Sequence, residues 1–147
     1  MPGSLPGDHV AFSPDGHWLV VGGVGDYRFY RVESWQAGLV LPRDAGESTP
    51  GPLAFARDGG VLAIARTLTD VQLVDPTTGK ALATLHAPEP RQVSWLCFSP
   101  DGDRLAVATS SDHVQVWDLR LIRRQLSAVG LDWERPLHSP GAAGPPG

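Results

Sequence analysis

Apolar residues in this chain come in short runs separated by turn-forming residues, and no helical period is sustained before residue 119. Largely apolar runs at residues 10–12, 53–55 and 93–98 predict strands buried on both faces. Each is followed by a turn phrase and then a second apolar run, at residues 18–21, 61–65 and 104–108. A third run alternates with period two: Val71 and Leu73 flank Gln72, and Val114 and Val116 flank Gln115. A fourth strand is expected at residues 39–41 and again at 81–85, after the turn Asp75-Pro76-Thr77-Thr78-Gly79-Lys80.

The pattern is a repeat. Phe12-Ser13-Pro14-Asp15-Gly16 returns as Phe55-Ala56-Arg57-Asp58-Gly59 and as Phe98-Ser99-Pro100-Asp101-Gly102, at intervals of 43 residues. Leu19, Leu62 and Leu105 keep that interval, while the third-strand blocks that open at Tyr27, Val71 and Val114 are 44 and then 43 residues apart. In each phrase the aspartate (Asp15, Asp58, Asp101) can bond to nearby backbone and the glycine (Gly16, Gly59, Gly102) accepts positive φ. Proline presets the turn in the first and third copies. Phe12, Phe55 and Phe98, with Leu19, Leu62, Leu105, Cys97 and Trp117, are expected in the core.

Four short antiparallel strands per 43 residues describe one propeller blade. The phrases Phe-Ser-Pro-Asp-Gly, Leu-Ala-Val-Ala and Val114-Gln115-Val116-Trp117-Asp118 resemble WD-repeat (WD40) proteins over about residues 8–118. The resemblance implies an all-β fold: a partial WD40-type β-propeller of about three four-stranded antiparallel blades, at residues 8–50, 51–92 and 93–118, ahead of a short C-terminal helix. Departures are visible. No Gly-His pair precedes the first strands, and His86 is displaced from that place, leaving Asp112 and Trp117 as members of at most a partial buried network. Tyr30-Arg31 and Val74-Asp75 stand where Trp-Asp would.

Leu119, Ile122, Leu126 and Val129 lie on one face of a helix over residues 119–131, with Asp118 as N-cap, Gly130 as stop and Arg120, Arg123 and Arg124 on another face. Residues 1–7, holding two prolines and two glycines, are expected to be flexible, and residues 132–147 a disordered Pro/Gly-rich tail. The third blade then lacks an outer strand, and blades one and three each present an apolar face without a neighbour. Such faces favour association. They predict a dimer of arcs, a larger assembly, or completion by blades of another chain. Residues 117–133 also resemble the C-terminal segment of large bacterial WD-repeat proteins, some fused to Ser/Thr protein kinases. That likeness implies a C-terminal fragment of a longer propeller, with a kinase's regulatory or sensor tail as the alternative. The sequence itself lacks the glycine-rich loop, His-Arg-Asp and Asp-Phe-Gly motifs of a kinase.

Composition narrows the function. With 17 glycines and 14 prolines among 147 residues a helix bundle is excluded. A net charge of −4 argues against nucleic acid or an anionic membrane as partner. One cysteine, Cys97, allows no internal disulfide and reads as a small core residue of a reduced, cytoplasmic protein. Gly22-Gly23-Val24-Gly25 lacks the Lys-Ser/Thr of a phosphate loop. The turn aspartates come singly, without the clustering of a calcium site, and the five histidines have no metal spacing. No serine sits in a nucleophile elbow, which leaves a propeller-based hydrolase as the weakest reading.

The expectation is therefore a non-catalytic protein-interaction scaffold without cofactor or metal, binding a protein or peptide, or further blades of a second chain. Loops at residues 24–26, 68–70, 110–113, 43–50 and 87–91 are expected to share one rim. Tyr27, Arg91, Trp95 and His113 are the candidate contacts there, because aromatics and arginine dominate binding hot spots. Trp95 also reads as a core residue, and His113 as an ordinary surface turn residue.

Overall fold

The computed structural model describes residues 7–44, 49–110 and 112–128. The expectations for residues 1–6 and 132–147, for Val129 and Gly130 at the helix end, and for the middle of the 43–50 loop lie outside the described residues. Eleven strands and one helix are formed within them: β1 His9–Phe12, β2 Trp18–Gly22, β3 Asp26–Arg31, β4 Ala37–Pro42, β5 Leu53–Phe55, β6 Leu62–Ala65, β7 Val71–Val74, β8 Ala81–Leu85, β9 Val93–Phe98, β10 Arg104–Thr109, β11 His113–Asp118 and α1 Leu119–Ala128. They make three antiparallel sheets in sequence order, β1 to β4, β5 to β8, and β9 to β11.

Each sheet is one repeat, because its turns are local. In the first, Asp15 Oδ1 accepts from Ser13 Oγ at 2.6 Å and from the His17 N–H at 2.9 Å, while Ser13 Oγ accepts from the Trp18 N–H at 3.0 Å. The third repeat reproduces this with Asp101, Ser99, Asp103 and Arg104 at the same distances. In the middle repeat Ala56 replaces the serine, and Asp58 keeps the equivalent backbone bond, its Oδ1 accepting from the Gly60 N–H at 2.8 Å. Gly16, Gly59 and Gly102 follow with φ of +79°, +76° and +75°, a region costly for residues with a Cβ.

The inner strands β1, β5 and β9 lie side by side, so the sheets stack as an arc of blades. Two apolar seams hold the arc. In the first, Val20, Tyr27, Phe29 and Leu41 of blade one meet Leu62, Ile64 and Val74 of blade two. In the second, Ala63, Ala65, Val71 and Leu73 of blade two meet Leu96, Leu105 and Val107 of blade three. Every residue of β6 is buried, because blade two has a neighbour on each side.

The same logic overturns part of the expected core. Phe12 is 60% exposed and Cys97 is exposed, while Phe55, Phe98 and Trp117 are half-buried. Phe12 and Cys97 lie on outward faces of the two end blades, so the strand positions that are half-buried at Phe55, Phe98 and Ala54 are left in solvent here. Leu19, Leu62 and Leu105 are buried.

Helix α1 takes the place of a fourth strand in blade three. Asp118 caps it, its Oδ1 accepting from the Arg120 N–H at 3.0 Å. Leu119 is fully buried and Ile122 packs beside it in the second seam. The helix therefore closes the edge of the seam between blades two and three. It does not cover the outward face of blade three.

Candidate functional site

Loops at one end of the blades are tied into a common rim by backbone hydrogen bonds. Gly51 donates to Gly23 at 3.0 Å, Asp44 to Arg66 at 2.9 Å, Val93 to Leu68 at 2.8 Å, and Ser110 to Gln92 at 2.8 Å. These bonds bring together the β2–β3 loop of blade one, both inter-blade loops, and the β6–β7 and β10–β11 loops.

Tyr27 does not lie on that rim as a contact residue. It is fully buried, and its hydroxyl donates to the Pro52 carbonyl at 2.7 Å and accepts from the Ala65 N–H at 2.9 Å. Beside it Arg43, also buried, donates from Nε to the Ala65 carbonyl at 2.7 Å and from a terminal nitrogen to the Val24 carbonyl at 3.1 Å. Burial pushes the Tyr27 hydroxyl up to about 12, against the opposing pull of the Arg43 guanidinium. The pair is a structural tie across the first seam. Arg43 carried no sequence signal beyond being an arginine in a loop. Its role depends on carbonyls up to 22 residues away.

The other three candidates remain at the surface end of blade three. Arg91 is part-buried and its guanidinium meets Glu89 at 2.8 Å. His113 is exposed at the start of β11. Trp95 is 61% exposed, which excludes its reading as a core residue, and the ring of His9 from blade one stands edge-on to it with centroids 5.6 Å apart. The buried network expected around Asp112 and Trp117 is not supported, since Asp112 is exposed and Trp117 only half-buried; His86, itself largely in solvent, instead places Nδ1 3.1 Å from Asp70 Oδ1, joining the loop after β8 to the loop before β7.

At the opposite rim, shallow grooves follow the seams between successive turns. One of about 350 Å³ is lined by Arg57, Asp58, Phe98, Asp101 and Arg123, and one of about 180 Å³ by Pro14, Asp15, Phe55, Asp58 and Pro76. The turn aspartates spend their carboxylates on the turns themselves, and their hydrogen bonds hold Asp15 and Asp101 below the usual aspartate range. Among the described residues, no three His, Cys, Asp or Glu side chains gather as a metal site. Among them, no helix is long and apolar enough to cross a membrane.

The third surface is the outward face of each end blade. Trp95, Cys97, Ala106, Ala108, Val114 and Val116 share one face of blade three by strand register. Val10 and Phe12 lie on the opposite end of the arc, in register with Val21 and Leu19.

Three repeats of antiparallel strands, stacked by their inner edges, are the architecture of a β-propeller arc. A family model described as "WD domain, G-beta repeat" matches residues 8–27 and 79–118, which span the first hairpin of blade one and the end of blade two through blade three. No curated protein matches the chain. Among solved structures, the crystal structure of RRP9 WD40 repeats is similar with a TM-score of 0.69 and 21% identity, over 82% of this chain and 38% of that one. At that identity the likeness is one of fold: a partial propeller of WD40 type, about two-fifths the length of that relative.

Proposed function

We propose that this chain is a non-catalytic protein-interaction module that engages a protein or peptide through the rim end of blade three. The observation that carries the reading is Trp95. A tryptophan 61% exposed on an inner strand, steadied by the edge of His9, is a costly residue to leave in water without an occupant. Arg91 and His113 flank the same end of the blade, and a tryptophan beside an arginine is the composition of an interaction hot spot. The net charge of −4 favours a protein partner over nucleic acid. The WD40-type fold supports the same reading, since propeller rims present loops as a platform.

The test is quantitative capture from extracts of the source cells with the tagged chain, its Trp95→Ala variant and its Val116→Arg variant. A partner held by the wild type and by Val116→Arg but lost with Trp95→Ala supports the rim. A partner profile unchanged by Trp95→Ala rules the rim site out.

A further inference from the structure

The two grooves at the rim opposite Trp95 differ in chemistry. The one across the second seam is lined by Arg57 and Arg123 as well as by Asp58 and Asp101, so its anions are matched by cations of the chain itself. The groove of about 180 Å³ across the first seam has Asp15 from the β1–β2 turn and Asp58 from the β5–β6 turn, and no basic residue lines it.

Its walls are apolar. Pro14 and Pro76 border it, and the aromatic rings of Trp18, Phe29 and Phe55 line it. Trp18 and Phe29 pack edge to face, with centroids 6.4 Å apart and planes at 70°. Phe29 is almost wholly buried beneath that contact, whereas Trp18 and Phe55 are half-buried and keep ring surface open. The face of an aromatic ring is electronegative and attracts cations. Trp18 already does so within the chain, where the Arg31 guanidinium lies 4.8 Å from its ring centroid. Arg31 itself does not line the groove.

The aspartates add full charge. Each gives one oxygen, Oδ1, to its own turn. Among the described residues, no arginine or lysine forms an ion pair with either carboxylate. Size then limits the ligand. Pockets for drug-sized ligands run to about 300–1,000 Å³, and a groove of about 180 Å³ has room for one side chain. A lysine meets both demands, since its methylene stem packs on apolar surface while the ammonium reaches charge at the edge.

We propose that this groove binds a lysine side chain from a basic segment of a partner protein, with its stem along Trp18 and Phe55 and its ammonium met by Asp15 and Asp58. The contact lies at the opposite end of the blades from Trp95 and depends on charge, so it is a second surface and not an extension of the first.

The experiment is a nuclear magnetic resonance titration of the full chain with three capped peptides, each carrying one lysine, glutamine or glutamate among glycines. The Trp18 indole N–H signal, identified by its loss in Trp18→Phe, is the readout. The lysine peptide is expected to move that signal and the amides of both turns at millimolar concentration, less so as salt is raised. The glutamine and glutamate peptides are expected to leave them in place. Asp15→Asn/Asp58→Asn keeps a side-chain oxygen for each turn, and circular dichroism checks its strands. It is expected to bind the lysine peptide at least about fivefold more weakly. If that variant fails to fold, the three peptides on the unsubstituted chain decide the matter alone. Equal responses to lysine and glutamine, a Trp18 signal unmoved by millimolar lysine peptide, or undiminished binding by the folded double variant overturns the proposal. So does a stronger response to glutamate, which would point to Arg57 and Arg123. None of these outcomes bears on the rim reading, which is decided by Trp95→Ala.

Discussion

The hydroxyl of Tyr27 reaches from blade one to the carbonyl of Pro52 at the head of blade two, 2.7 Å away. It also accepts from the Ala65 N–H, so one side chain satisfies backbone groups at two points of the neighbouring blade. Tyr27→Phe keeps the ring and leaves the buried Pro52 carbonyl and Ala65 N–H only the longer bond between them, 3.4 Å. The expected loss is about 1–3 kcal/mol, the usual penalty of an unsatisfied buried polar group, read in urea melts. A loss below about 0.5 kcal/mol, within the range of a neutral surface change, would show that the tie is not needed.

The same hydroxyl sets an alkaline limit. It ionises near 10.0 when unfolded and is pushed up to about 12 in the fold. A raised value means that the stabilisation is complete below the unfolded value and is lost as pH rises through the folded one. Stability should therefore fall between pH 10.0 and about 12. Tyr27→Phe should flatten that part of the curve. An equal slope in both proteins would remove Tyr27 as its source.

Gly51 lies under this tie. A Cβ placed there would come within 2.6 Å of Arg43 Nε and would press on the Tyr27 hydroxyl. Gly51→Ala should cost about 1–3 kcal/mol through overpacking, with the first seam loosening before the second. Hydrogen exchange gives the check: amides of β3 and β6 should lose protection before those of β10. Uniform change across the three sheets would argue against a local clash.

Burial by neighbour predicts an ordering of truncations. Leu105→Ala, at a fully buried position in the second seam, should cost about 2–5 kcal/mol. Phe98→Ala, half-buried beside it, should cost about 2 kcal/mol, roughly half the cost for an enclosed phenylalanine. Phe12→Ala should cost under about 1 kcal/mol at dilutions where single chains prevail, because most of its ring is already in water. Melts of the three variants at low concentration test the order, and a Phe12→Ala loss equal to that of Leu105→Ala would refute it.

Acid should act on the turns. Serine hydroxyl and backbone N–H donors lower Asp15 and Asp101 from the ordinary value of 3.8. A lowered carboxylate stabilises the fold above its unfolded value, and that contribution is lost as pH falls through the folded one. The effect should be small, since both groups are exposed and solvent screens them. Melting temperatures of the wild type should decline below pH 3.8, and the double variant Asp15→Asn/Asp101→Asn should show a shallower decline. Identical slopes would place the acid sensitivity elsewhere.

The blade unit was legible along the chain because its causes are local. A turn such as Ser13 to Trp18 closes within five residues, and the strands on either side follow their own apolar runs, so the 43-residue period carries the architecture with it. The helix after Asp118 was legible for the same reason: its cap and its first buried contacts lie within a few residues of each other. What a strand residue faces is not local. Leu73 and Val116 occupy the same place in the repeat, and the first is buried only because another blade stacks against it. Phe12 and Cys97 read as core on pattern alone and lie in solvent, because the pattern specifies a face and only the assembled arc decides whether that face has a neighbour. Tyr27 and Arg43 differ from surface residues by partners 22 to 38 residues away, so their burial emerges from the docking of two blades and from nothing in their own surroundings along the chain.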